Sequence, residues 1–455
     1  GAYHCTTIVD CNTRKYHGLL VIPVPNIDDE NHVLLSSLDE TVIQHGAEFN
    51  LGLHKYQGNN FSPNGHKYIR EFDCEHIPAT TYRVGGVVLR KEKIFVHHEN
   101  RILIRYTLLD AHSATTLRFR PFLAFRSVRE YTHENAQASR DYQLVENGIK
   151  TCMYPGYPEL FMQLNKACEF HFQPDWYRGF EYPKEQERGY DFNEDLYVPG
   201  YFEVDIKKGE SIVFSAGTSE VTPRRLKQTF EAEVADRTPR DSFYHCLKNS
   251  AHQFHNQQEG EHYILAGYPW FKCRARDMFI SLPGLTLALD EVDQFEDVMK
   301  TAEKEGVTVC VEAVNRFESP LINTAEEALR YADMVGSPNI GIHLDTYHMN
   351  IEENSIGEAI RKAGKRLRHF HTGENNRNIP GRGHIDWDEV FGALKEIGYE
   401  RNIVSEPFLM MGDEVGYDIR VWRPLMEHPT EERLDEAAKE LLSFTRNMLK
   451  KYHLE

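Results

Sequence analysis

The chain has 455 residues, enough for two or three domains, and its hydrophobic content of 40% and charged content of 27% are ordinary for a globular protein. The formal net charge of −18 argues against nucleic acid or an anionic membrane surface as a partner. No apolar run approaches the roughly 20 residues of a membrane-spanning helix, which also argues against a membrane protein.

The first residues read as the interior of a β domain, without an initiator Met, which predicts that an N-terminal portion is missing. Eight cysteines are scattered along the chain without a Cys-x-x-Cys pair. This pattern favours reduced structural thiols in a cytoplasmic protein and disfavours a zinc site built from cysteines.

Residues 1 to about 235 contain many short β-prone runs separated by turn signals, which predicts a large antiparallel β-sandwich. Within this region, residues 201–216 predict a β-hairpin. Phe202, Val204 and Ile206 alternate with polar residues before Lys208-Gly209, and the alternation resumes at Ile212.

The pattern changes near Thr222-Pro223, and residues 236–299 predict a short helical segment. From residue 300 to 455, short apolar runs alternate with helix-prone segments, the rhythm of successive βα units. The last segment, after Pro429-Thr430, predicts an amphipathic packing helix.

Four of these apolar runs end in a residue that can bind a metal ion, at spacings of 33, 26 and 35: Glu312, Asp345, His371 and Glu406. In βα units, the residues at successive strand ends point into a shared mouth. Two Glu, one Asp and one His form an oxygen-rich set that suits Mn²⁺, Mg²⁺ or Co²⁺. Only about four βα units fit between residue 300 and the C-terminus, whereas a closed barrel needs eight.

The N-terminal part contains three distinctive motifs: Asn12-Thr13-Arg14-Lys15-Tyr16-His17-Gly18-Leu19-Leu20-Val21, Ala266-Gly267-Tyr268-Pro269-Trp270-Phe271, and Arg276-Asp277 with Leu282-Pro283-Gly284-Leu285. Through these motifs the chain, up to about residue 295, resembles bacterial glycogen debranching enzymes of the amylo-α-1,6-glucosidase type. It implies the family's N-terminal β-sandwich, followed by only the start of its helical toroid. Asp277 and Trp270 are then candidate glucan contacts. Glycoside hydrolysis needs two carboxyl groups, and in the family these lie further downstream, so hydrolysis is not expected.

An aromatic run at 175–202 gives a second indication of glucan binding, because exposed rings stack on sugars. The same rings could instead close the sandwich or pack against the toroid. The run alone leaves these alternatives open.

The strand ends of the C-terminal part lie in five motifs: Val311-Glu312-Ala313-Val314-Asn315-Arg316-Phe317-Glu318, Leu344-Asp345-Thr346-Tyr347-His348-Met349-Asn350-Ile351-Glu352-Glu353, His369-Phe370-His371-Thr372-Gly373-Glu374, Asn376-Arg377 and Glu406-Pro407-Phe408. Through these motifs the chain, from about residue 303, resembles the C-terminal half of ketose 3-epimerases of the D-tagatose/D-psicose type, which have a xylose-isomerase-like (β/α)8 TIM barrel.

This resemblance implies a metal site, preferably for Mn²⁺ (or Co²⁺ or Mg²⁺), made of Glu312, Asp345, His371 and Glu406. It also implies that Glu312 and Glu406 are the acid/base pair and that three further residues hold the sugar: Glu318, His348 and Arg377. The implied reaction moves the proton on C3 of a free ketose through an enediolate. We expect His343 and His369, which alternate with ligand positions, to pack behind the sheet.

The predicted architecture therefore has three parts: an antiparallel β-sandwich at 1–235, a helical segment at 236–299 and half a TIM barrel at 300–455. Each resemblance covers an incomplete protein. Three interpretations stay open. The chain is a fusion that never forms a competent site, or a homodimer pairs two half-barrels, or helices at 240–295 cover the face that the half-barrel leaves exposed. A glucan-binding module, or a remnant of a debranching enzyme, is the alternative to a ketose 3-epimerase of impaired activity.

Overall fold

The computed structural model of the chain describes residues 1–258, 260–269, 271–410, 416, 419–421 and 423–454. It divides into two compact units, which we call the N-terminal unit (Gly1–Met278) and the C-terminal unit (Phe279–Glu455). None of the helices within the described ranges is both long and apolar enough to cross a bilayer.

Two large antiparallel sheets form the sandwich of the N-terminal unit. The first has the order β1-β2-β3-β11-β16-β15-β5-β6, with β4 paired to β3. The strands of this sheet are β1 (Tyr3–Cys5), β2 (Gly18–Pro23), β3 (Asn31–Gln44), β4 (Ala47–Asn50), β5 (His54–Tyr56), β6 (Asn60–Ser62), β11 (Thr115–Ser127), β15 (Glu169–Glu181) and β16 (Asn193–Ile206).

The second sheet has the order β12-β13-β14-β17-β10-β9-β8-β7. Its strands are β7 (Ile69–Asp73), β8 (Ala79–Val84), β9 (Val87–Phe95), β10 (Arg101–Asp110), β12 (Tyr142–Val145), β13 (Gly148–Thr151), β14 (Leu160–Leu164) and β17 (Ser211–Gly217). Leu35 and Phe119 from the first sheet share one buried core with Ile104 and Phe214 from the second. The predicted antiparallel sandwich is therefore confirmed.

The prediction of a hairpin at 201–216 is wrong, because the two strands belong to different sheets. β16 pairs with β11 and β15, whereas β17 pairs with β10 and β14. The Phe202 and Phe214 rings meet between the sheets, with centroids 6.0 Å apart. An alternating pattern buries one face of each strand whether the strands pair with each other or face each other across a core.

The region at 236–299, predicted to be helical, also contains a small antiparallel sheet: β18 (His255–Gln258), β19 (Glu261–Gly267) and β20 (Phe271–Cys273). β18 and β19 form a hairpin in which Gly260 has a φ of 83°, a conformation that glycine adopts without strain. Tyr263 and Ile264 are β-prone side chains that favour the strand that follows.

A four-stranded parallel sheet forms the centre of the C-terminal unit, in the order β21 (Val309–Ala313), β22 (Ile340–Asp345), β23 (Leu367–Thr372) and β24 (Ile403–Ser405). Within the described residues, β21 and β24 each have one neighbouring strand, so the sheet does not close into a barrel. The predicted half of a TIM barrel is confirmed. We call this sheet with its helices the half-barrel.

In the C-terminal part of the chain, helices follow the strands as predicted. The helices whose bounds lie within the described residues are α1 (Pro183–Gln186), α2 (Leu226–Ala235), α3 (Phe243–His252), α4 (Ala275–Leu285), α5 (Val292–Lys304), α6 (Ala325–Val335), α7 (Thr346–Glu352), α8 (Ile356–Ala363), α9 (Trp387–Glu396) and α10 (Glu431–Tyr452). Short 3-10 turns lie at Gly65–Tyr68, Pro223–Arg225, Leu287–Leu289 and Gly364–Arg366.

The two faces of the half-barrel sheet differ in chemistry. Ile342, Leu344 and Phe370 are buried in the core that the sheet shares with Ile360 of α8 and Phe391 of α9. The residues that alternate with them project to the opposite face, because successive side chains of a strand point to opposite sides. This inner face therefore carries the polar side chains that the helices leave uncovered.

Candidate metal centre

The parallel register brings the predicted strand-end residues to one edge of the half-barrel. Glu312 of β21 pairs with His343 of β22, and Asp345 at the end of β22 pairs with His371 of β23. Glu406 comes directly after β24, and its backbone N–H donates to the carbonyl oxygen of Thr372. Because the strands run parallel, their carboxyl ends meet at this edge, where α/β folds hold ligands.

Three of the four predicted metal ligands form a close group. One donor atom from each of Glu312, Asp345 and His371 lies within 4.8 Å of the other two. His371 Nδ1 is 3.9 Å from Asp345 Oδ2 and 3.5 Å from Glu406 Oε2. Glu406 therefore contacts the group through His371, without belonging to the set of mutually close donor atoms.

Two atoms of this group lack an ordinary partner. Asp345 Oδ2 and His371 Nδ1 are buried and form no hydrogen bond to any described residue. The other carboxylate oxygen, Asp345 Oδ1, accepts from the backbone N–H of Tyr347 at 2.8 Å and caps α7. A buried acceptor without a partner destabilises the fold, and a divalent cation would satisfy both atoms. Two carboxylates and one imidazole fit a hard or borderline cation.

Burial and neighbouring charges shift the pKa values of the residues in this group. Burial, and then the Asp345 carboxylate, raise the pKa of Glu312 to about 7. Burial raises the pKa of Asp345 to about 6. Proximity to His371 instead lowers the pKa of Glu406. Burial acts to lower the pKa of His371, but the nearby Glu406 and Asp345 outweigh it, so this pKa is raised. A bound cation would relieve the repulsion between the carboxylates.

His348 lies on α7, the helix that directly follows β22, and is held as a neutral imidazole with a defined orientation. Its Nδ1 accepts from the backbone N–H of Asn315 at 3.1 Å. Its Nε2, which then carries the proton, lies 3.9 Å from Glu312 Oε1. Burial, and then Arg377, lower the pKa of His348 to about 4. His348 is therefore a neutral donor aimed at the metal group.

Arg377 reaches the same mouth from the loop after β23. Its Nη2 donates to Glu318 Oε1 at 3.0 Å, and its Nη1 lies 3.9 Å from Glu406 Oε2. The guanidinium lies 3.6 Å from the ring centroid of Tyr347 and 4.9 Å from that of Phe408. These contacts fix its position. The predicted sugar-binding residues Glu318, His348 and Arg377 thus lie next to the predicted ligands.

His343 and His369 lie on the inner face of the sheet, beside the metal group, and the expectation that they pack behind the sheet is wrong. His343 Nδ1 is 3.5 Å from Glu312 Oε2, and His369 Nε2 is 3.0 Å from His371 Nε2. Residues two apart in a strand share a face. The two-residue spacings His343–Asp345 and His369–His371 are the sequence signal that could have predicted this placement.

The candidate glucan contacts, in contrast to the metal ligands, are not brought together at one site by the described residues. Asp277 is exposed in the first turn of α4, and Trp270 lies outside the described residues. Within the aromatic run at 175–202, five rings are at most 4% exposed and belong to cores of the sandwich or its edge: Trp176, Phe180, Tyr182, Tyr197 and Phe202. Buried rings cannot stack on a polysaccharide, whereas Tyr190 is 54% exposed.

Comparisons with known proteins divide the chain in the same way. Residues 1–213 match the family model of the glycogen debranching enzyme N terminal, and residues 260–441 match that of the xylose isomerase-like TIM barrel. The chain is thus similar to parts of two families, each over less than half of its length. Relatives of the TIM-barrel part align to the C-terminal region.

One relative, the D-psicose 3-epimerase of Ruminiclostridium cellulolyticum, is 49% identical over 158 residues, which are 35% of this chain and 54% of the relative. The L-ribulose 3-epimerase of Mesorhizobium japonicum is 42% identical over 130 residues, 28% of this chain and 44% of the relative. A solved D-psicose 3-epimerase with D-tagatose, from Clostridium cellulolyticum H10, is 49% identical, with a TM-score of 0.34 over 35% of this chain and 55% of that chain. The chain spans about half the length of the curated relatives it matches.

Proposed function

We propose that the C-terminal unit holds a divalent cation through Glu312, Asp345, His371 and Glu406 and uses it to epimerise a free ketose at C3. The observation that carries the proposal is the pair of buried donor atoms, Asp345 Oδ2 and His371 Nδ1. They lie 3.9 Å apart beside Glu312, with no hydrogen-bond partner among the described residues. Mn²⁺ is the preferred ion, with Co²⁺ and Mg²⁺ as alternatives, because the donor set is rich in oxygen.

When bound, the cation would polarise the substrate carbonyl and stabilise the negative charge that develops beside it. The chain's own acid/base groups are Glu312 and Glu406. One of these carboxylates, on one side of C3, would take its proton, and the other would give a proton to the opposite face.

Three further residues would hold the sugar. The Nε2–H of His348 and the guanidinium of Arg377 are donors for hydroxyl groups, and Glu318 is an acceptor. Arg377 is held between the rings of Tyr347 and Phe408, so little side-chain freedom would be lost when a hydroxyl binds. The similarity to a D-psicose 3-epimerase and an L-ribulose 3-epimerase supports a ketose as the substrate class.

The half-barrel supports a second element of the proposal, a homodimer that pairs two half-barrels. The four parallel strands have open edges at β21 and β24 and form no closed barrel within the described residues, whereas a closed (β/α)8 barrel needs eight strands. Two copies joined β24 to β21 about a two-fold axis would supply eight parallel strands. Sedimentation equilibrium tests this: a monomer at all concentrations would rule the dimer out.

A reducing compartment, such as the cytoplasm, is proposed as the place of action. The eight cysteines all lie within the described ranges, where none forms a disulfide. Glucan binding by the N-terminal unit is not favoured by its geometry, since most of the candidate rings are buried.

The test is titration of the chelator-treated chain with Mn²⁺ by isothermal calorimetry, followed by conversion of D-fructose to D-psicose with and without EDTA. We expect saturable binding that weakens by at least about tenfold in Glu312→Gln, and conversion that EDTA abolishes. The control is Glu358→Gln, the same change at an exposed carboxylate on α8. Absence of binding, or equal binding in both variants, would refute the metal centre, whereas binding without conversion would refute only the epimerase assignment.

A further inference from the structure

A cluster of three histidines lies on the inner face of the half-barrel, near the strand ends. His343 of β22 is paired in register with His369 of β23, and His371 follows two residues later on the same face. The ring centroids are 4.8 Å apart for His343 and His369, 4.1 Å for His343 and His371, and 4.8 Å for His369 and His371. Parallel pairing and the two-residue period of a strand thus bring the three rings into mutual contact.

The ring nitrogens of the cluster are close enough to share one ion. One nitrogen from each of the three residues lies within 4.8 Å of the other two. His369 Nε2 and His371 Nε2 are only 3.0 Å apart, so without an ion one of them must donate a proton to the other. A metal ion accepts a lone pair from every nitrogen and removes this constraint.

The chemistry of this cluster differs from that of the carboxylate group. Three neutral imidazoles with a fourth position open to solvent are a donor set of zinc sites, in which each nitrogen lies about 2 Å from the ion. A set of carboxylates with one imidazole favours harder ions such as Mn²⁺ and Mg²⁺. The inner face therefore presents a nitrogen site and an oxygen site side by side.

We propose that His343, His369 and His371 form a second metal site that binds Zn²⁺, next to the site at Glu312, Asp345 and His371 and sharing His371 with it. This proposal goes beyond epimerisation and does not depend on catalytic activity. His369 and His371 are both partly exposed, so an ion can reach the cluster from the inner face.

His371 belongs to both sites and couples them. Its Nδ1 faces Asp345 and Glu406, and its Nε2 faces His369. A neutral imidazole offers only one lone pair, because its other nitrogen carries the proton. Zn²⁺ at the histidine cluster and Mn²⁺ at the carboxylate group therefore compete for His371, and Zn²⁺ is expected to weaken Mn²⁺ binding.

The experiment uses the full chain, treated with chelator and titrated separately with Zn²⁺ and Mn²⁺. His369→Asn removes a Zn²⁺ ligand but only a neighbour of the Mn²⁺ ligand His371, so it should weaken Zn²⁺ binding by at least about tenfold and Mn²⁺ binding by clearly less. Asp345→Asn should have the reverse effect. The matched control is His384→Asn, which changes an exposed histidine of the same unit and should alter neither affinity. Co²⁺ in place of Zn²⁺ gives an independent reading, since a tetrahedral nitrogen site absorbs visible light far more strongly than an oxygen-rich octahedral one.

Two results would overturn the proposal. One is Zn²⁺ binding in His369→Asn equal to that in His384→Asn. The other is a loss of Zn²⁺ affinity in Asp345→Asn as large as that in His369→Asn, which would place Zn²⁺ in the carboxylate group. Far-UV circular dichroism checks that each variant is folded, and His343→Asn replaces His369→Asn if the latter is not.

Discussion

In the metal-free protein, we expect Asp345→Asn to stabilise the C-terminal unit near neutral pH while it weakens Mn²⁺ binding. The Asp345 side chain is fully buried, and its Oδ2 has no hydrogen-bond partner among the described residues. Asparagine removes the charge but keeps an oxygen that can accept from Tyr347 N, and the two residues are comparable as helix N-caps. The substitution thus isolates the cost of the buried charge.

The magnitude follows from the pKa of Asp345. Its value of about 6 in the folded chain lies above the ordinary 3.8, so the folded state holds the proton more tightly. The group's favourable contribution is then fully present below about pH 4 and is lost as the pH rises through about 6. At about 1.4 kcal/mol for each pKa unit, the loss reaches at most about 3 kcal/mol above pH 7. Asparagine does not titrate, so the variant escapes this loss.

The assay is urea unfolding of chelator-treated protein at about pH 4.5 and about pH 7.5, followed through the transition of the C-terminal unit. The advantage of Asp345→Asn over the parent should grow between the two pH values. Asp386→Asn is the matched control, because Asp386 caps α9 but is exposed, and its effect should be small at both. A variant no more stable than the parent at the higher pH would refute the reasoning.

Three further outcomes are expected. Ile360→Ala, at a fully buried position of α8, should destabilise the C-terminal unit by about 2–5 kcal/mol in urea unfolding, because it leaves a cavity in the core. Thr324→Ala should cost about 1 kcal/mol in the same assay, since it removes the oxygen that accepts from Glu327 N at the start of α6. Mn²⁺ affinity should fall as the pH drops from about 7 to about 5. The pKa values of about 7 for Glu312 and about 6 for Asp345 mean that both must lose protons to bind the ion, and calorimetry in buffers of different ionisation enthalpy would detect that release.

The hairpin predicted at 201–216 shows that a local sequence pattern can predict a strand without predicting its partner. The alternation of Phe202, Val204 and Ile206 correctly predicted a half-buried strand. It could not specify the partner strand, because pairing depends on where the apolar faces of distant strands meet. Packing of the core determined the pairing, because Phe202 and Phe214 are buried against each other from opposite sheets.

The sequence alone determined the two-part composition of the chain and the candidate ligands, because strand ends and motifs are local and can be read in order. The alternation of predicted strands and helices was enough to identify four candidates: Glu312, Asp345, His371 and Glu406. Tertiary structure decided how they are arranged. The parallel register brings Glu312, Asp345 and His371 within 4.8 Å of one another, leaves Glu406 in contact through His371, and adds His343 and His369 to the same face. These relations depend on which residues of neighbouring strands pair, and pairing is set by the burial of Ile342, Leu344 and Phe370 beneath the helices.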